Sequence, residues 1–146
     1  MDTGGGGGSG AGGYDARQRR RGLHNEPIAG LFHYRLSEVL RGVLGARLVP
    51  TYVFSVVYLG GGRLHPHLDR PENEVSLTLS LGTMPSGLVW PLMMNQTTFH
   101  LRPGEAVLYR GAAVRHSRER PLPPDHASAH VIFAFREQCA ECCHLV

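Results

Sequence analysis

From Pro27 to Leu48 apolar residues recur at intervals of three and four, at Ile28, Leu31, Phe32, Leu36, Val39, Leu40 and Val43. That is the period of an amphipathic helix, and Gly42 and Gly45 are the positions at which it breaks. After Pro50 the period falls to two. Tyr52 to Tyr58 reads as a buried strand and Leu64 to Leu68 as another; Val75, Leu77, Leu79 and Leu81 alternate with Ser76, Thr78 and Ser80. Further short strands are predicted over Leu88 to Met93, Thr97 to Leu101, Ala106 to Tyr109, Val114 to Ser117 and Ala129 to Phe135. Pro-Gly and Pro-Ser pairs supply turns between several of them.

Eight short strands behind one helical segment predict a mainly β protein with an N-terminal helix. The architecture they fit is the double-stranded β-helix, the cupin-like jelly roll. A chain of 146 residues with 42% hydrophobic content suits one domain with one sizeable core. Residues 2 to 13 are dominated by glycine and hold no bulky apolar side chain before Tyr14, so they cannot offset the entropy of ordering. The expected organisation is a disordered Gly/Arg-rich tail over 1–24, the jelly-roll domain over 25–137 and a Cys-rich C-terminal tail over 138–146.

No apolar run approaches the roughly 20 residues that span a bilayer, and the glycine-rich start lacks the apolar segment of a secretory signal. The expectation is an intracellular, cytoplasmic protein with no membrane partner. All fifteen basic residues are arginine, which removes lysine from every mechanistic role. The net charge of +3 is modest, and the run Arg17, Arg19, Arg20, Arg21 reads as a solvated tail; nothing downstream looks like a nucleic-acid module, so no nucleic-acid partner is expected. Cys139, Cys142 and Cys143 are odd in number and crowded at the end, so they form no disulfide framework, and one Cys-x-x-Cys pair lacks the second half of a structural zinc site.

The chemistry concentrates in Tyr58-Leu-Gly-Gly-Gly-Arg-Leu-His-Pro-His67-Leu-Asp69-Arg70. Residues i and i+2 of a strand point to one face, so His67 and Asp69 can grip one ion together. Two imidazoles and a carboxylate form the facial triad that holds Fe(II) and leaves positions open for substrates. His116, 47 residues after Asp69, is the candidate for the second imidazole. It follows a turn, a strand and a second turn over Arg102 to Gly111 that could deliver it to the opposite wall of a roll. Gly60 to Gly62 permit a close backbone approach, and Arg70 is placed to brace the carboxylate.

These residues resemble the iron(II)- and 2-oxoglutarate-dependent dioxygenases, in their prolyl-4-hydroxylase-like branch. The branch has a tyrosine, a glycine three residues on, a proline eight on and a histidine nine on, matched here by Tyr58, Gly61, Pro66 and His67. Asp69 follows, and Pro103, Gly104, Val107 to Tyr109, Gly111 and His116 repeat the distal pattern; the similarity covers roughly residues 28 to 136. The resemblance implies that His67, Asp69 and His116 are catalytic iron ligands and that Tyr58 hydrogen-bonds 2-oxoglutarate. It further implies that Fe(II), 2-oxoglutarate and O2 together oxidise an unactivated C–H bond of a protein side chain or a small molecule.

The family's anchor for the distal carboxylate is a lysine or arginine about ten residues after the distal histidine, and position 126 is His126. Candidates in its place are Arg118, Arg120, Arg136, or a protonated His126 or His130. Arg118 is favoured, because i and i+2 place it on the face of His116. Where many relatives carry a second tyrosine this chain has Leu64. His65 reads as an outward neighbour, Trp90, Met93 and Met94 as packing residues, and Glu72 and Glu74 as a solvated turn. Two other functions fit the residues: a cupin-like metalloprotein that does not use 2-oxoglutarate, supported by the missing anchor, and a non-catalytic relative.

Overall fold

The structure is a computed structural model and describes residues 13–138. One helix, α1 (Pro27–Leu44), follows two strands, β1 (Gly13–Asp15) and β2 (Arg20–His24). Eight more strands complete the chain: β3 (Leu48–Leu59), β4 (Leu64–His67), β5 (Val75–Met84), β6 (Leu92–Met94), β7 (Thr97–Phe99), β8 (Ala106–Tyr109), β9 (His116–Arg118) and β10 (Ala127–Glu137). The eight strands expected from residue 50 onward are all present. The tail expected to be disordered through residue 24 is corrected over its second half, where β1 and β2 are antiparallel strands. Residues 1 to 12 and the three cysteines lie outside the described residues.

The helix begins where Glu26 accepts hydrogen bonds from the backbone of Ile28 (3.1 Å) and Ala29 (2.8 Å), with Pro27 in the first turn. It runs through Gly42 and stops at Gly45, whose φ of 66° closes it with a bond from its N–H to Arg41 O at 2.9 Å. Its inward stripe is Ala29, His33, Ser37 and Leu40, with Leu36 partly buried beside them. The apolar positions that defined its period mostly face outward: Ile28, Leu31, Phe32, Val39 and Val43 are 58–70% exposed. Small residues allow close approach to the sheet, and His33 Nε2–H donates to Ala134 O at 2.8 Å, so this bond and the small stripe set the helix rotation.

Two antiparallel sheets form the jelly roll. The larger has the order β1-β2-β3-β10-β5-β8 and the smaller β4-β9-β6-β7. The face of the larger sheet beneath α1 carries the apolar set Val53, Val75, Leu77, Val131, Phe133 and Phe135, the last fully buried. The alternation in β5 therefore points its leucines at the helix side, while Ser76, Thr78 and Ser80 face into the roll, each buried. Inside the roll Val56, Tyr58, Trp90 and Leu122 pack as one cluster and Leu92, Met94 and Tyr109 as another. The packing role expected of Trp90 and Met94 matches their placement. Gly60 is required, since a Cβ there would run into Pro124 O of the loop between β9 and β10. Among the described residues no helix is long and apolar enough to cross a membrane.

Burial leaves His33 and His130, both outside the candidate metal-ligand cluster, poorly able to charge. His33 is held below its usual pKa by desolvation, against the opposing pull of the Ala134 carbonyl. His130 is pushed down to about 3 by desolvation and by the charge of Arg118. An unfolded chain takes up both protons near pH 6.5 while the folded one does not, so stability is whole above that pH and falls as pH drops toward 3. Each histidine contributes a slope of up to about 1.4 kcal/mol per pH unit across its own window. Denaturant midpoints measured between pH 7.5 and 4.5 should decline, and His130→Gln should flatten the decline; a flat wild-type profile would contradict this burial.

Candidate metal centre and its pocket

His67 closes β4 and His116 opens β9, and the two are directly opposite in the antiparallel pairing of these strands. His116 thus arrives on the neighbouring strand of the same sheet, where the opposite wall was expected. Asp69 lies two residues beyond the end of β4, and its backbone N–H donates to Gly111 O at 2.9 Å, which ties the loop to the turn before β9. The outcome is a cluster in which one donor atom from each of His67, Asp69 and His116 lies within 4.8 Å of the others.

The remaining atoms of these three side chains are already engaged. His67 Nδ1 is 2.8 Å from His65 O and His116 Nδ1 is 3.0 Å from Val114 O, so both Nδ1 atoms carry the proton and each Nε2 keeps its lone pair, that of His116 with the Tyr109 hydroxyl at 3.4 Å. Ser76 Oγ donates to Asp69 Oδ2 at 2.6 Å, leaving Oδ1 to face the rings. Oδ1 is 3.8 Å from His67 Nε2 and 3.5 Å from His116 Nε2. Both distances are shorter than two metal–ligand bonds of about 2.1 Å laid end to end.

Burial lowers the pKa of His116, and His67 beside it acts the same way, against the Val114 carbonyl and Asp69, which raise it. His116 is therefore neutral at pH 7, and three acceptors meet with no strong donor among them. Tyr109 Oη stands near at 3.4 Å from His116 Nε2 and 3.2 Å from Thr78 Oγ1. A cation resolves this arrangement directly: the donor set of two imidazoles and one carboxylate suits Fe(II), and the hydrogen bonds behind it orient each ligand. Gly111 belongs to this frame, because a Cβ there would collide with Asp69 Oδ2 and Ser76 Oγ. His65 is exposed and does not join the cluster, as expected.

The cluster opens into a cavity of about 300 Å³ between the sheets, at the small end of ligand pockets. Tyr58, Arg118, Thr78, Tyr109 and His130 line it, and Arg20, His24, Tyr52, Phe54 and Arg70 are placed along its walls as well. Arg20, Arg70 and Arg118 line the cavity against one carboxylate, Asp69, and although Arg20 is paired with Asp15 the balance favours an anion. Arg118 shares the face of His116, as i and i+2 require. It is 3% exposed, its guanidinium sits 5.0 Å from the centroid of the Trp90 ring, and Nη1 donates to Trp90 O. Its Nη2 has no partner among the described residues. Desolvation brings its pKa down to about 10, so it stays charged at neutral pH.

Of the other anchor candidates, Arg120, Arg136 and His126 do not line the cavity. His130 does line it but is neutral, which corrects the expectation that it could serve as a protonated partner. Tyr58 is 3% exposed, and desolvation raises its pKa, so its hydroxyl keeps its proton. Sequence reading placed Tyr109 and Gly111 only in the pattern leading to His116, and it missed Ser76 and Arg20 as members of the site. The polar beat of β5 was the available signal for Ser76; for Arg20 there was none, since its role depends on a strand pairing with residues 38 positions away.

No family model matches the sequence, and no curated protein matches it. Solved structures do resemble the fold. An oxidoreductase of the 2OG-Fe(II) oxygenase family from Burkholderia pseudomallei superposes with a TM-score of 0.65 at 12% identity, covering 88% of this chain and 73% of that one. HygX from Streptomyces hygroscopicus, solved with nickel and 2-oxoglutarate bound, gives 0.64 at 13% identity over 81% and 70%. A Pseudomonas putida prolyl-4-hydroxylase gives 0.56 at 19% identity over 85% and 77%. At such identities the likeness is one of fold: this chain has the jelly roll on which 2-oxoglutarate oxygenases are built, a roll that also carries other functions.

Proposed function

We propose that the chain is an Fe(II)- and 2-oxoglutarate-dependent oxygenase that hydroxylates a protein side chain or a small molecule. The observation that carries this reading is a single cavity with three convergent acceptor atoms at one place and a buried guanidinium with a free N–H at another. His67, Asp69 and His116 hold the iron in this reading. The bound iron, with 2-oxoglutarate and O2, supplies the oxidising chemistry; the chain's own residues do the rest. Arg118 pairs with the distal carboxylate through Nη2 and Tyr58 donates its hydroxyl proton to the same ligand, a charge-assisted arrangement in a site where desolvation strengthens it. Trp90, Leu92 and Ile132 keep the surroundings apolar and limit water. Asp69 is steadied by Ser76 and by the backbone of Gly111, which holds its carboxylate toward the two rings.

A metalloprotein that does not use 2-oxoglutarate is the second reading, favoured by one observation: the final strand offers the cavity a neutral His130, where the family resemblance implies a lysine or arginine. The two readings separate in one assay. On the first, anaerobic Fe(II) protein develops a visible charge-transfer band on adding 2-oxoglutarate, and in air it releases succinate; absence of both favours the second.

His67→Ala, Asp69→Ala and His116→Ala should each abolish turnover and weaken metal uptake, while His65→Ala keeps most activity; equal loss in His65→Ala would mean that the wrong imidazole was chosen. Arg118→Met should raise the KM for 2-oxoglutarate by about a hundredfold, the scale of a buried charge-assisted pair, with metal affinity retained. Gly111→Ala should weaken metal binding, as followed by equilibrium dialysis, by pushing the Asp69 carboxylate off its position; unchanged affinity would show that the turn yields freely.

A further inference from the structure

The N-terminal hairpin lines the cavity with Arg20 and His24, and of the two Arg20 bonds a side chain of the site. Arg20 lies directly opposite Tyr58 in the pairing of β2 with β3, and its Nη1 donates to Tyr58 Oη at 3.3 Å. Its own position is built from three sides. Asp15, its partner across β1 and β2, accepts from Nε at 3.3 Å. Its guanidinium lies 5.5 Å from the centroid of the Phe54 ring and 5.9 Å from that of Tyr58. Gly22, two residues along the same face, leaves room for the Phe54 ring, which a Cβ would meet.

A phenol has one proton to give and lone pairs to accept with, and a guanidinium only gives. With Arg20 donating to the oxygen, the Tyr58 proton cannot point back at Arg20, and no acceptor among the described residues takes it. It is left for whatever occupies the cavity that Tyr58 lines. The donated bond also polarises the O–H and makes it a stronger donor.

We propose that Arg20 is a positioning residue for 2-oxoglutarate, orienting the Tyr58 hydroxyl as a donor to the ligand carboxylate and so making the N-terminal hairpin part of the binding site. The inference rests on the 2-oxoglutarate reading given above.

The chain's only tryptophan, Trp90, has its ring 5.0 Å from that of Tyr58, so its fluorescence reports occupancy of the cavity without turnover. The experiment titrates the Mn(II)-loaded protein with 2-oxoglutarate and follows Trp90, with Mn(II) uptake as the check of folding. Arg20→Met should weaken 2-oxoglutarate by about tenfold, the worth of one such hydrogen bond, and Arg20→Lys should restore most of it. In a Tyr58→Phe background Arg20→Met should add nothing, since the two act as one unit. An unchanged affinity in Arg20→Met, or a full additive loss in the double variant, overturns the positioning role while leaving the oxygenase reading intact. A wild-type protein that takes up Mn(II) but shows no response to 2-oxoglutarate overturns that reading, and this inference with it.

Discussion

The pairing of β4 with β9 is the constraint on which the site depends. It sets His67 opposite His116, and each ring is then held by a carbonyl two residues back on its own chain segment. This local bond sets the tautomer of each ring and leaves Nε2 toward Asp69 Oδ1. Asp69 completes the set from a loop rather than a strand, so its carboxylate needs separate fixing, and Ser76 and Gly111 provide it. Slipping the pairing by one residue would turn one ring to the other face of the sheet. A cation at this point would in turn stabilise the pairing, because three mutually repelling acceptors become ligands of one charge.

The polar side of β5 shows how the same roll serves both packing and chemistry. In a sheet with one solvated face, serine and threonine would lie outward and leucine inward. Here the leucines lie on the side of the sheet that carries helix α1, with Leu77 buried and Leu81 left exposed, and the small polar residues turn into the roll. Ser76 meets Asp69 and Thr78 meets Tyr109, so these polar atoms are satisfied inside the site they frame. Arg118 and His130 each keep one nitrogen unpartnered among the described residues, and for a guanidinium buried to this degree that is costly unless a ligand or ordered water takes the bond. That cost argues for a binding function at this position more directly than its charge does.

Much of the fold was legible because period-two alternation is a local signal, and it located every strand after residue 50. His67, Asp69 and His116 were legible for a different reason: two of them are neighbours in sequence, and the third stands in a motif with a fixed relation to its turn. What stayed hidden depended on distant partners. The helix was visible, but its rotation was not, because the His33 bond to Ala134 spans 101 positions and overrides the apolar stripe. The relation of β4 to β9 was misjudged for the same reason, since 47 residues of chain can return to the same sheet or to the one facing it.

The hairpin makes the limit of local reasoning plainest. Glycine and arginine around residues 13 to 22 give no core-forming side chain, so composition alone predicts that the segment stays solvated. Composition is blind to the open edge of β3, whose unpaired N–H and C=O groups can accept a further strand at little side-chain cost. β2 pairs there over five residues, and Arg20 contributes its stem and charge to two aromatic rings, so the segment orders without burying an aliphatic core of its own. The arginines that read as a solvated run are thereby divided: Arg21 stays exposed on the outer face, near Tyr14, while Arg20 is drawn beneath the hairpin to the Tyr58 hydroxyl. Strand alternation, acting on a segment that looked featureless, is what turns one of two adjacent identical residues toward the cavity and the other away from it.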